Sequence, residues 1–146
     1  MSKIAIIGIG NVGSRLAKHW AKAGYEIILG IRDVANPDVV ELFNHTEGKF
    51  KVFTVKEAAD KAGIITICVG FRQLQNVLDE IGTQKNKLIS ETVNANFEGG
   101  RDAAKMIEVS TGSDRIIKAF NSIGAENLDN PVFNETAADT YLWRQC

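Results

Sequence analysis

Cysteine is scarce: the 146-residue chain holds two, Cys68 inside an apolar run and Cys146 at the last position. Neither has companions at the short spacings of a disulfide framework or a zinc site, and the expected compartment is a reducing cytosol. Histidine is as sparse. His19 and His45 have no Cys, Asp or Ser at catalytic or ligand spacing, so both are expected at the surface or in packing, and no metal site is expected. An excess of one charge is also lacking. A net charge of -1 gives no broad attraction to nucleic acid or to an anionic membrane, so phosphate recognition must be local and the expected partner is a small molecule. No apolar run is long enough to span a bilayer. The N-terminal run is short, follows a single Lys and passes into a polar-faced helix, which is not the pattern of a signal peptide. No Ser/His/Asp, Cys/His or paired-carboxylate arrangement stands out, so no catalytic side chain is assigned.

With 45% hydrophobic and 24% charged residues, the chain has the composition of one soluble domain with a real core over residues 1–146. Its organising stretch is Lys3-Ile-Ala-Ile-Ile-Gly8-Ile-Gly10-Asn-Val-Gly13. Lys3 to Ile7 reads as a buried β-branched strand. From Asn11 the period becomes helical, with Val12, Leu16, Trp20 and Ala23 on one stripe. The glycines stand as G-x-G-x-x-G between them. In a strand–turn–helix setting Gly8 permits the sharp turn, Gly10 lets a pyrophosphate approach the backbone, and Gly13 lets the helix pack against the strand. Ile9, Asn11 and Val12 lie in the same turn and are taken with the glycines as cofactor-binding. Without a ligand, the same pattern is a tight β-to-α connection.

A second strand is expected over Tyr25–Leu29, after a helix stopped by Ala23-Gly24. A dinucleotide's adenosine ribose meets the end of that strand, where an acid ordinarily accepts from the 2′-hydroxyl of NAD. This chain reads Gly30-Ile31-Arg32-Asp33. Ile31 removes the carboxylate, and Arg32 can pair with a 2′-phosphate through a charge-assisted fork, so the pattern points to NADP. Asp33 is either a turn residue or, facing the ribose, an NAD ligand.

Further along, Pro37 sits at a plausible helix start, and Lys51–Val55 reads as a short strand. Thr54 and Glu57 have capping-box spacing for a helix through Ala62. Ile64–Val69 is a continuous apolar run suited to a strand covered on both faces. At its carboxyl end Val69, Gly70 and Arg72 are candidate cofactor contacts, Arg72 being equally well read as a surface residue at a helix start. Leu74, Val77, Leu78 and Ile81 keep helical spacing before Gly82. Leu88–Val93 is the next strand, leading to Asn94, whose amide suits a nicotinamide carboxamide or serves a turn. A helix over residues 100–109 takes Ala103, Ala104, Met106, Ile107 and Val109 as its apolar side. Arg115–Phe120 is a sixth strand, followed by Asn121 and Ser122. The alternation implies an α/β, doubly wound parallel sheet of the Rossmann type, in strand order 3-2-1-4-5-6, with the ligand crevice where strands 1 and 4 diverge.

Three segments resemble the coenzyme F420-dependent NADP oxidoreductases, relatives of which include the reductase domains of the STEAP metalloreductases. They are Ile6–Gly13, Gly24–Arg32 and above all Ile117–Asn127, Ile-Lys-Ala-Phe-Asn-Ser-Ile-Gly-Ala-Glu-Asn. The first two segments are shared with many NADP-binding proteins, pyrroline-5-carboxylate reductases among them, and the third is more specific. The resemblance implies a Rossmann fold, the glycine turn on pyrophosphate and Arg32 on the 2′-phosphate. It also implies that Asn94, Asn121 and Ser122 lie beside the nicotinamide and a flavin-like partner. Ile31 replaces a Ser or Thr common before the arginine, Gly70 stands where Pro is frequent, and Val93 and Ala95 replace a Thr and a Pro around Asn94. The resemblance stops after Ala137–Leu142. A chain lacking the family's C-terminal part is therefore expected, with a frameshift as its origin and an exposed sheet edge favouring self-association into a homo-oligomer.

The expected function is an NADP(H)-dependent oxidoreductase that passes hydride between the nicotinamide and F420, FMN or FAD. The alternatives are an NADPH-binding module or redox sensor without turnover, and an imine reductase like pyrroline-5-carboxylate reductase. A methyltransferase is disfavoured by Ile31-Arg32 at the ribose position.

Overall fold

The computed structural model describes residues 3–33, 37, 39, 50–94, 102–130, 132–133, 136–137 and 143–144. Strand β1 (Lys3–Ile7) leads into helix α1 (Asn11–Lys22), and β2 (Glu26–Gly30) follows. Then come β3 (Phe50–Phe53), α2 (Val55–Lys61), β4 (Ile64–Ile67), α3 (Phe71–Ile81), β5 (Leu88–Glu91), α4 (Ala103–Thr111) and β6 (Ile116–Lys118). A 3-10 helix covers Ala125–Leu128. Pro37 and Val39 are helical; His45, Ala95 and Cys146 lie outside the described residues.

The main sheet runs β3-β2-β1-β4-β5-β6, all parallel, as the alternation requires. Ile7 is in register with Gly30 on one side and Ile67 on the other, so the loops after β1, β2 and β4 leave the sheet at one level. The pleat of β1 divides the core: Ala5 and Ile7 join a cluster with Ile65, Ile67, Leu74 and Leu78, and Ile4 and Ile6 join one with Leu16, Ala17 and Leu29. Successive side chains point to opposite faces of a strand, and a parallel strand covered on both faces is apolar throughout.

The sheet has a seventh member that the sequence reading does not contain. Trp143–Arg144 forms β9, antiparallel to β6, and covers part of the edge expected to be exposed. A two-residue strand is too short to carry an alternation signal. Val132–Phe133 (β7) and Thr136–Ala137 (β8) pair antiparallel in a separate two-stranded sheet.

Two smaller differences have local causes. Val55 begins α2 instead of ending β3, because Thr54 and Glu57 close a capping box that starts the helix one residue earlier. The Glu57 N–H donates to Thr54 Oγ1 at 3.3 Å, and the Thr54 N–H donates to Glu57 Oε2 at 3.1 Å. Thr54→Ala is therefore expected to cost about 1 kcal/mol and to lower Tm by roughly 2–4 °C in a thermal melt. In α4, Ala103, Ala104, Ile107 and Thr111 face inward, while Val109 is 73% exposed and Ala23 of the α1 stripe is exposed as well.

Candidate functional site

The connection between β1 and α1 is shaped by contacts that exclude side chains at two of its three glycines. Gly8 has φ +91°, and a Cβ there would lie 2.7 Å from the Cys68 carbonyl oxygen. A Cβ on Gly13 would collide with the Gly8 carbonyl oxygen and lie 3.1 Å from Cys68 Cβ. Gly10 differs: its φ of -64° suits any residue, and a Cβ there would meet nothing within 4 Å. Among the described residues nothing requires glycine at that position. Gly10 caps α1 without a side-chain hydrogen bond, and Gly70 caps α3 in the same way; neither helix has an acid in its first turn. Both helix N-termini thus open at the carboxyl edge of the sheet, α1 on the face of Ile4 and Ile6 and α3 on the face of Ala5 and Ile7.

Between them lies a cleft of about 570 Å³, bounded by the turn after β1, by Gly30–Asp33 after β2, and by Cys68–Gly70 after β4. Of the candidate residues it brings together Gly8, Ile9, Gly10, Ile31, Arg32, Val69 and Gly70. Ile31 is buried at 8% exposure, so an acid at that position would be largely desolvated. Arg32 is nearly half exposed, and its Nε lies 3.0 Å from Glu80 Oε1, a partner with no signature in the sequence. Asp33 also lines the cleft. Val55, Gln73 and Val77 are lining residues that the sequence reading missed. Gln73 and Val77 are four apart and so share one face of α3, but that signal is indistinguishable from ordinary helical packing.

Seven candidates fall outside this cleft. Asn11 is exposed on α1, Val12 packs into the core cluster beneath, and Gly13 is buried under the turn. Arg72 is exposed on the first turn of α3. Asn94, Asn121 and Ser122 are exposed beyond the carboxyl ends of β5 and β6.

Within that second group, Asn121 is tied to a network around a buried carboxylate. Glu91, fully buried at the end of β5, accepts from the Val93 N–H and from Lys118 Nζ, each at 2.7 Å. The Val93 carbonyl in turn accepts from Lys118 Nζ at 3.1 Å and from Asn121 Nδ2 at 3.0 Å. Phe120 supplies the corner between Lys118 and Asn121 with φ +65°, and its ring lies 6.2 Å from that of Trp20. A non-glycine residue in this region carries strain that surrounding contacts must hold.

Two titratable groups complete the surroundings. Cys68 lies beneath the glycine turn, where burial pushes its thiol up to about 12, against the smaller opposing effect of a hydrogen bond with Thr92. It stays a neutral packing group instead of a nucleophile. His19 is exposed, as expected, but has an acid partner: its Nε2 lies 3.1 Å from Asp129 Oδ1, and Arg15 Nε donates to Asp129 Oδ2 at 2.8 Å. Partial burial would raise the Asp129 carboxyl, but its hydrogen bonds with His19 and Arg15, together with the guanidinium charge, outweigh it and hold it below its ordinary value. Its stabilising contribution is therefore present above the unfolded carboxyl value and lost as pH falls through the folded one. Among the described residues no cluster of His, Cys, Asp and Glu is placed to hold a metal ion, and no helix is long and apolar enough to cross a membrane.

Comparison with known proteins agrees with this architecture. The hypothetical protein SMa0349 of Sinorhizobium meliloti superposes with a TM-score of 0.79 at 21% identity, over 97% of this chain and 73% of its own, which establishes a shared fold. The F420-dependent NADP reductase of Methanothermobacter marburgensis is 31% identical, covering 86% of this chain and 66% of that protein. The enzyme of the same name from Methanothermobacter thermautotrophicus is also 31% identical, over 86% of this chain and 63% of that protein. The chain thus spans a little under two thirds of the length of these curated relatives. The family described as NADP oxidoreductase, coenzyme F420-dependent, matches residues 3–95. On the strength of that match, the chain belongs to the coenzyme F420-dependent NADP oxidoreductase family.

Proposed function

We propose that the chain binds NADPH, with the pyrophosphate over the Gly8–Gly13 turn and the adenosine 2′-phosphate at Arg32, and works as an NADP-dependent oxidoreductase. The observation that carries this reading is Gly10. Its conformation and surroundings would accept a side chain, yet it sits at the mouth of the cleft between two uncapped helix N-termini. A glycine with no internal reason is best accounted for by a ligand that needs the backbone bare, as a pyrophosphate does. Val55, Val69 and Val77 supply apolar walls for an adenine, and Gln73 supplies an amide beside it.

When bound, NADPH would supply hydride-transfer chemistry toward F420, FMN or FAD, with the balancing proton coming from water. The protein's share is placement. In this reading Asn94, Asn121 and Ser122 lie on the nicotinamide side, with Asn121 fixed through the Val93 carbonyl. No side chain is required to exchange a proton with the nicotinamide.

The binding half is tested by calorimetric titration of NADPH and NADH. NADPH is expected to bind roughly ten- to a hundredfold more tightly, as one or two charge-assisted hydrogen bonds provide. Arg32→Ala should remove that preference while NADH affinity stays nearly unchanged. Equal affinities in the parent protein would mean that Asp33, not Arg32, faces the ribose. The redox half is tested by following NADPH oxidation with F420, FMN and FAD in turn. Tight binding with no oxidation by any of the three would leave a cofactor-binding module.

A further inference from the structure

We propose that Glu80 is a specificity-determining residue that competes with the cofactor's 2′-phosphate for Arg32 and so sets how strongly the site prefers NADPH. The inference rests on the assignment of the 2′-phosphate to Arg32. Gln73, Val77 and Glu80 stand at intervals of four and three along one flank of α3, and the first two line the cleft. Glu80 is one turn further along the same flank. Arg32 starts at the lip of the cleft, after β2, and its side chain lies across to that turn, with Nε 3.0 Å from Glu80 Oε1. The guanidinium, on a residue that lines the cleft, is therefore already paired with a carboxylate of the chain itself.

The strength of the contact makes Glu80 a modulator instead of a block. The two side chains are 48% and 43% exposed, so water screens the pair. An exposed pair of this kind biases an equilibrium by about two- to fivefold. A phosphate monoester carries about twice the charge of a carboxylate near neutral pH, so it wins the exchange. Releasing Arg32 from Glu80 nonetheless subtracts from NADPH affinity and leaves NADH affinity untouched, because only NADPH asks for the guanidinium. The opposite possibility is equally definite: if Glu80 steadied Arg32 in its phosphate-binding position, removing it would weaken NADPH.

Calorimetric titrations of the full chain, Glu80→Gln, Arg32→Ala and the double variant with NADPH and NADH test this. Both positions are solvent-exposed, so the variants are expected to fold, with a thermal melt as the check. Glu80→Gln should bind NADPH about two- to fivefold more tightly with NADH unchanged, and should have no effect in the Arg32→Ala background. Unchanged or weaker NADPH binding in Glu80→Gln would overturn the proposal. So would an equal gain in the Arg32→Ala background, which would mean simple repulsion of the phosphate by Glu80. If Arg32→Ala itself leaves the NADPH preference intact, the assignment of the 2′-phosphate has failed, a result separate from a silent Glu80→Gln beside an effective Arg32→Ala.

Discussion

Alanine at Gly10 should leave the protein stable and weaken its hold on the cofactor, whereas alanine at Gly13 should destabilise the fold. The two glycines belong to one turn and differ in what surrounds them. At Gly13 a methyl group meets backbone, the Gly8 carbonyl oxygen, with Cys68 Cβ behind it, and neither can rotate away. Either α1 must move off β1 or the turn must open. Overpacking against an immovable neighbour costs about 3 kcal/mol or more, which corresponds to a fall in Tm of roughly 10 °C for a chain of this length. At Gly10 the methyl group enters open space with φ already at -64°. The loss should stay within about 1 kcal/mol, the range of substitutions at a helix N-cap. The same methyl group projects where the pyrophosphate is proposed to lie, and displacing one or two of its charge-assisted hydrogen bonds should weaken NADPH at least about tenfold. Parallel melts and titrations measure both. A Gly10→Ala variant with undiminished NADPH affinity would remove the pyrophosphate from this turn.

The sequence makes Gly8, Gly10 and Gly13 legible as a group because the turn is local: a strand, three glycines and a change of period lie within one short stretch. The capping box at Thr54 and Glu57, and the strand order that follows from the alternation, are legible for the same reason. Longer-range features are not. Gln73 and Val77 look like any helical pair until α3 is placed beside the cleft, and the Arg32–Glu80 contact joins residues far apart in the chain. His19 has no acid near it in sequence, yet Asp129 reaches it across α1. Val109 is apolar like its neighbours, but it stands two residues from the inward-facing Ile107, on the other side of α4, and is left in solvent. The left-handed corner at Phe120 is invisible in a sequence, because phenylalanine carries no preference for it and the Trp20 contact lies a hundred residues away.

Glu91 is the sharpest case of a residue that sequence reasoning passes over, since a lone acid inside a strand ordinarily signals an exposed position. Here its side chain is fully buried and its oxygens are satisfied by Lys118 Nζ and the Val93 N–H. Lys118→Met should consequently be strongly destabilising. Methionine fills a similar volume but leaves the carboxylate with one hydrogen bond and no cation, and breaking a buried pair from one side costs about 3–5 kcal/mol. Because Lys118 is itself 38% exposed, water already screens part of the attraction, and the expected loss is about 3 kcal/mol, the low end of that range. The same substitution removes a donor from the Val93 carbonyl and leaves Asn121 to hold that loop alone. Adding Glu91→Gln should reverse most of the loss. The amide oxygen can still accept from the Val93 N–H, and no charge remains to be compensated, so the double variant should lie within about 1 kcal/mol of the parent. Chemical denaturation of the parent, the two single variants and the double variant closes the cycle and yields the coupling directly. Additive losses in the double variant would show that Glu91 and Lys118 act independently, and that the loop ahead of Asn94 owes its position to something other than this pair.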